Sequence, residues 1–106
     1  MQNYDIASIY FENAAKILAE LNDKGENYAI TKSMLALCHM NLENLNVAKQ
    51  EIDESIAIIE TTSSRFALAN KMGIYQKAGA IYYELGMLDK AEEFTKIVCE
   101  CFLLCE

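Results

Sequence analysis

The most reactive side chains of this chain are one histidine and four cysteines, namely His39, Cys38, Cys99, Cys101 and Cys105. A thiol beside an imidazole suggests a nucleophilic pair, but Cys38 and His39 are adjacent, and adjacent helical residues point about 100° apart. Cys99, Cys101 and Cys105 are spaced by two and by four, so only the last two share a helix face. Structural zinc requires four converging ligands. We therefore expect no catalytic residue, no metal site and no cofactor, and we expect His39 to be a packing residue.

Carboxylates are the other candidates for chemistry, in two clusters: Glu51, Asp53 and Glu54, and then Glu92 with Glu93. General acid–base catalysis needs carboxylates that converge in a pocket. Lys49 with Asp53, and Glu92 with Lys96, have instead the i,i+4 spacing of surface ion pairs on helices. No glycine-rich phosphate loop, G-x-S-x-G or H-E-x-x-H motif occurs. The carboxylates therefore predict solvated helix faces, and the chain is expected not to be an enzyme.

Composition narrows the class of protein. The 106 residues are 53% hydrophobic and contain no proline, which favours one all-α domain. A net charge of −7, from nine basic and sixteen acidic residues, argues against a nucleic-acid partner. No apolar run is long enough to predict membrane insertion, and the N-terminus lacks the features of a secretory signal. Three cysteines crowded on one short helix favour reduced thiols and a cytoplasmic location.

Hydrophobic periodicity predicts five helices, at about residues 4–22, 26–42, 46–59, 65–85 and 88–104. The first places Ile6, Tyr10, Ala14, Ile17 and Leu21 on one apolar face. The second is apolar nearly all round, which predicts burial on more than one side. The last is expected to point Leu88, Ala91, Thr95, Val98 and Phe102 inward. Short connections predict antiparallel neighbours, with Gly25 as a left-handed stop after the first helix.

The sequence repeats internally. A shift of 43 residues superposes Ala36 on Gly79 and Ala48 on Ala91. It also places His39 on Tyr82. A shift of 34 residues brings Ala14 onto Ala48, so the first helix behaves as the second half of a repeat.

In these residues the chain resembles the tetratricopeptide repeat (TPR) family. That family pairs antiparallel helices, with a small residue and an aromatic in the first, a glycine at the turn and an alanine in the second. Tyr75 and Tyr82 match the aromatic positions, whereas His39 replaces an aromatic in the middle unit, whose turn is assigned to Asn44. The predicted repeat-packing residues are Ala14, Ala36, Ala48, Gly79, Tyr82, Gly86 and Ala91. The resemblance implies a short right-handed α-solenoid in one domain, residues 1–106, with a half repeat at 1–24 and repeats at 26–60 and 65–105.

The resemblance also implies a function. Members of this family bind a peptide or a partner helix in a concave groove formed by the first helix of each pair. The corresponding groove residues here are Ser33, Leu37, Met40, Asn41, Gln76, Lys77, Ala80, Tyr83 and Glu84. We expect a scaffold for protein–protein interaction; the alternative is a peptide-sensing domain like those of bacterial TPR regulators, which share the longer repeat spacing. The apolar C-terminal stretch CECFLLCE predicts self-association through an end helix, or further repeats in a longer protein.

Overall fold

A computed structural model shows five α-helices joined by short turns; it describes the backbone of residues 3–104 and the side chains of residues 3–100. The helices are α1 (Tyr4–Glu20), α2 (Glu26–Asn41), α3 (Leu45–Glu60), α4 (Ala67–Glu84) and α5 (Leu88–Leu104). The prediction of an all-α chain with five helices is confirmed, and no strand occurs within residues 3–104. None of the helices described is long and apolar enough to cross a membrane.

The helices follow one another in space, and α2 and α4 each contact three other described helices. Each helix contacts the next in sequence, and α2 also contacts α4, whereas α1 contacts α2 alone among the described helices. The predicted burial of α2 on more than one side is therefore confirmed. Its buried residues are Tyr28, Ala29, Ser33, Leu35, Ala36 and Cys38.

The core lies mainly between α3 and α4. Ile52 and Ile59 on α3, with Ile74 and Ile81 on α4, are almost completely buried. Alanines that are also fully buried, Ala36, Ala48 and Ala78, lie among them in the same cluster. Small side chains let helix axes approach closely, so large residues from the neighbouring helix fill the space between them.

Three helix ends share one backbone motif. Residues Asn22, Glu43 and Gly86 have positive φ angles of 56°, 64° and 79°. The amide after each donates to a carbonyl five residues back, in the bonds Asp23 to Leu18, Asn44 to His39 and Met87 to Tyr82. Two predictions are thereby corrected. Gly25, with φ −98°, is the N-cap of α2 and not the stop of α1, and Glu43, not Asn44, is the counterpart of Gly86.

The inward face of α5 differs from the prediction. Ala91 is buried and Val98 partly buried, as expected, but Leu88 and Thr95 are exposed. Phe94 is buried in their place, and the side chain of Phe102 lies outside the described residues. The helix is rotated so that Phe94 contacts aromatic rings of α4.

Gly79 provides a test of how tightly α4 and α5 pack. A methyl group at this buried position would lie 3.4 Å from Oγ1 of Thr95, an ordinary contact. Gly79→Ala is therefore expected to raise the free energy of unfolding by up to about 1 kcal/mol, because glycine is a poor helix former. Gly79→Leu, which overfills the site, should lower it by about 1–3 kcal/mol. Urea denaturation followed by circular dichroism measures both, and equal destabilisation by Ala and Leu would contradict the geometry.

Candidate functional site

An open apolar groove lies between α4 and α5. We call it the α4–α5 groove; it has a volume of about 540 Å³ and is lined by Gly79, Ala80, Tyr83, Leu88, Ala91, Glu92 and Thr95. Gly79 and Ala91 are buried at its floor and Ala80 is exposed, whereas Tyr83 and Leu88 are 64% and 58% exposed. Large exposed apolar side chains beside a small-residue floor form a surface that suits apolar side chains of a partner.

A second groove, the α1–α2 groove, lies at the other end of the helix array. Its volume is about 320 Å³, and its lining is Asn3, Tyr4, Ala7, Phe11, Met34, Leu37 and Cys38. Burial, with a smaller contribution from the charge of Glu51, raises the pKa of the Cys38 thiol. Cys38 is therefore held as an uncharged, poorly nucleophilic thiol.

The residues predicted to line one groove are divided between these two. Leu37 lines the α1–α2 groove, and Ala80 and Tyr83 line the α4–α5 groove. The structure thus brings together two of the five predicted α4 residues, Ala80 and Tyr83, but does not join them to Leu37 in one cavity.

The other predicted groove residues differ in accessibility. Asn41, Gln76 and Glu84 are exposed, and Met40 packs partly against the core. Ser33 is fully buried on α2, and its hydroxyl donates to the Ile30 carbonyl at 2.6 Å. Ser33 is therefore not accessible to a partner, which corrects its assignment as a groove residue.

Lys77 is the one predicted groove residue on α4 that carries positive charge. Its side chain is half-buried, and its Nζ donates to the Gly73 carbonyl at 3.4 Å. Burial lowers the pKa of Lys77, because desolvation disfavours the charged form.

The 43-residue repeat places α2 and α3 in correspondence with α4 and α5, and α4 contacts both helices of that earlier pair. Gly79, Ala80 and Tyr83 of α4 correspond to Ala36, Leu37 and Met40 of α2. Ala36 is fully buried and Met40 packs against the core, in a structure where α4 contacts both α2 and α3. The element that adjoins the α2–α3 pair at this end is therefore the helix α4.

His39 belongs to an ionic cluster that joins three helices. Its Nδ1 lies 2.5 Å from Oε1 of Glu51 on α3, and its Nε2 lies 3.5 Å from Oε1 of Glu12 on α1. Oε2 of Glu51 is 3.9 Å from Nζ of Lys32. Glu51 is only 7% exposed, so the prediction that its acidic cluster lies on the solvent side is wrong for this residue.

The positions of the α4–α5 pair that correspond to Lys32, His39 and Glu51 hold aromatic rings. The 43-residue shift places Lys32, His39 and Glu51, the ionic trio, on Tyr75, Tyr82 and Phe94, the aromatic trio. The Phe94 ring lies 5.5 Å from that of Tyr75 and 5.6 Å from that of Tyr82, at interplanar angles of 27° and 28°. Neither groove described above is lined by the ionic trio. A structural role in tying α2 to its neighbours therefore fits these residues better than catalysis.

Tyr82 also ties α4 to α3. Its hydroxyl donates to the carboxylate of Asp53, which pairs with Lys49 at 2.9 Å. Burial and then this hydrogen bond raise the pKa of Tyr82, so the ring stays neutral. The predicted Lys49–Asp53 pair is confirmed.

The described residues thus define an all-α chain of successive helices with an apolar groove at each end. Comparison with protein-family models, with curated proteins and with solved structures finds no match.

Proposed function

We propose that this chain is a TPR-like helical-repeat module that binds an amphipathic helix of a partner protein in the α4–α5 groove. The observation that carries the proposal is the pair of exposed side chains, Tyr83 and Leu88, beside the small residues Gly79 and Ala91. Burial of two large side chains of this kind contributes roughly 1.5–3 kcal/mol each. The groove thus offers the apolar anchor points around which binding energy concentrates.

The shape of the groove supports a helix as its occupant. Ala80, which is small and exposed, permits the close approach of a partner helix backbone, whereas Gly79 and Ala91 are buried below it. The repeat supplies an internal comparison, because a helix adjoins the corresponding end of the α2–α3 pair. A partner helix would occupy the position that α4 holds one repeat earlier.

Charge supports basic residues at the edges of that partner helix. Glu92 lines the groove, Glu84 is exposed next to it on α4, and the chain carries a net charge of −7. Complementary charges at an interface rim accelerate association and exclude acidic competitors. The proposed ligand is therefore a helix with one apolar stripe and basic flanks, and the module itself has no catalytic role.

A peptide of residues 67–84, the sequence of α4 itself, is the probe for this groove. It has the apolar face that covers the first helix pair and carries two lysines, Lys71 and Lys77. Fluorescence anisotropy of the labelled peptide is expected to show saturable binding to the intact chain. Tyr83→Ala should weaken the binding by about tenfold, the effect of losing roughly 1.4 kcal/mol of contact energy.

The matched control is Tyr10→Ala, because Tyr10 is similarly exposed but lies on α1. Its peptide affinity should equal that of the wild type. No binding to wild type, or equal losses in both variants, would contradict the groove assignment.

A further inference from the structure

One face of α1 exposes five large apolar side chains. They are between 55% and 71% exposed, and we call them the α1 stripe: Ile6, Ile9, Tyr10, Ile17 and Leu21. At about 100° per residue they fall within about 120° of the helix circumference. The predicted apolar face of the first helix is thus directed to solvent, and residues that pack inward, such as Ser8 and Ala15, lie on the opposite side.

The stripe is large enough to be an interface. Its exposed area is roughly 600 Å², close to the ~800 Å² per partner of a standard interface. Isolated apolar residues on a surface are ordinary, whereas these five share one helix face, in which the exposed Asn13 and Glu20 are the polar members.

The spacing of the stripe is self-complementary in an antiparallel pair. The residue numbers of Ile6 and Leu21 have the same midpoint as those of Tyr10 and Ile17, between residues 13 and 14. In two antiparallel α1 helices centred there, Ile6 faces Leu21 of the other copy, and Tyr10 faces Ile17. Each contact occurs twice because of the twofold axis.

The charges of Lys16 and of Glu12, which also lies 3.5 Å from His39, favour the same arrangement. In the antiparallel pair, Lys16 comes within one residue, about 1.5 Å along the axis, of the level of Glu12 in the other copy. In a parallel pair Lys16 would lie level with Lys16, and Glu12 with Glu12, which is repulsive. Asn13, which is exposed, lies next to the twofold axis, where its amide can donate to and accept from its own counterpart.

From the midpoint, the area and the charges together, we propose that a second copy of this chain covers the α1 stripe, forming a twofold-symmetric dimer through antiparallel α1 helices. This goes beyond partner binding in the α4–α5 groove, which lies on other helices and stays open in the dimer.

Sedimentation equilibrium of the intact chain, with reductant present because Cys99 is exposed, tests the proposal. The expected species has twice the 12.0 kDa chain mass. Ile17→Glu places a charge in both twofold-related contacts and should raise the dimer dissociation constant by about a hundredfold, with Ile6→Glu as a second variant. Both sites are exposed, so helicity by circular dichroism should be unchanged.

Leu88→Glu is the matched control, because it adds the same charge at an exposed apolar site in the α4–α5 groove, away from the α1 stripe. It should leave the dimer intact while abolishing binding of the α4 peptide, so the two proposals fail independently. A wild-type chain that stays monomeric up to about 1 mM would overturn the dimer, as would a dimer insensitive to Ile17→Glu.

Cysteine crosslinking tests the helix orientation. In a background of Cys99→Ser, Cys101→Ser and Cys105→Ser, Asn13→Cys should form an intermolecular disulfide on oxidation, because residue 13 lies beside the twofold axis. Asp5→Cys, at the far end of the helix, should not. Efficient crosslinking through residue 5 would overturn the antiparallel arrangement.

Discussion

Phe94→Ala is expected to lower the free energy of unfolding by about 3–5 kcal/mol. Phe94 is 8% exposed and stacks on Tyr75 and on Tyr82, so its removal leaves a cavity between α4 and α5. Loss of two aromatic contacts adds to the loss of buried area. Among the described helices, α5 contacts α4 alone. Any collapse of the helices around the cavity would therefore weaken the one interface that holds α5.

Denaturation by guanidinium chloride, followed by circular dichroism at equilibrium, measures the effect of Phe94→Ala. Phe66→Ala is the matched control, since Phe66 is 64% exposed just before α4 and its replacement should cost less than about 1 kcal/mol. Equal losses for the two variants would mean that the aromatic trio does not form the α4–α5 contact described here.

The second prediction concerns exchange of the ionic trio for the aromatic one. The triple substitution Lys32→Tyr, His39→Tyr and Glu51→Phe should raise the free energy of unfolding by about 1–4 kcal/mol. Burial of the Glu51 carboxylate and partial burial of the Lys32 ammonium incur a desolvation cost that apolar groups avoid, and the corresponding positions of the α4–α5 pair hold aromatic rings. Glu51→Ala alone should have the opposite sign, a loss of about 3–5 kcal/mol, because Lys32 and His39 lose their buried partner.

Glu54→Ala is the control for the single substitution. Glu54 also pairs with Lys32, at 3.4 Å, but its side chain is exposed, so its loss should cost no more than about 1 kcal/mol. Thermal and chemical denaturation at one ionic strength compare the variants. A destabilised triple variant would show that the first helix pair differs from the second in backbone spacing and not only in side chains.

Helix boundaries in this chain are predictable from sequence, because periodicity and turn residues are local. The sequence pattern predicts a start of α4 near residue 65 and an end of α1 near residue 22, and the structure has them at Ala67 and Glu20. Which face of α5 is buried depends instead on contacts with another helix. Leu88 and Phe94 are both apolar, and the sequence pattern favoured the former, whereas contacts with two rings on α4 bury the latter.

The burial of Glu51 and the division of the predicted groove both depend on contacts between helices, which the residue pattern along one helix does not show. The sequence predicts that Glu51 lies on the surface, because carboxylates are rarely buried without partners. Its partners lie on α2, a different helix. Ser33 is fully buried on α2, whereas Gln76, its counterpart 43 residues later, is exposed on α4. The 43-residue alignment holds the missing signal for the first case, since it matches Glu51 with a large aromatic, and that match marks an inward position.

Among the described helices, α1 contacts α2 alone, and this single interface determines how easily α1 unfolds locally. In a row of helices, an end element is held by one interface, whereas α2 is held by several. Amide protons of α1 should therefore exchange with solvent through local openings that leave α2 to α5 folded. The helix with the exposed apolar stripe is thus also an end helix held by one neighbour, and whatever covers the stripe slows its exchange in proportion to occupancy.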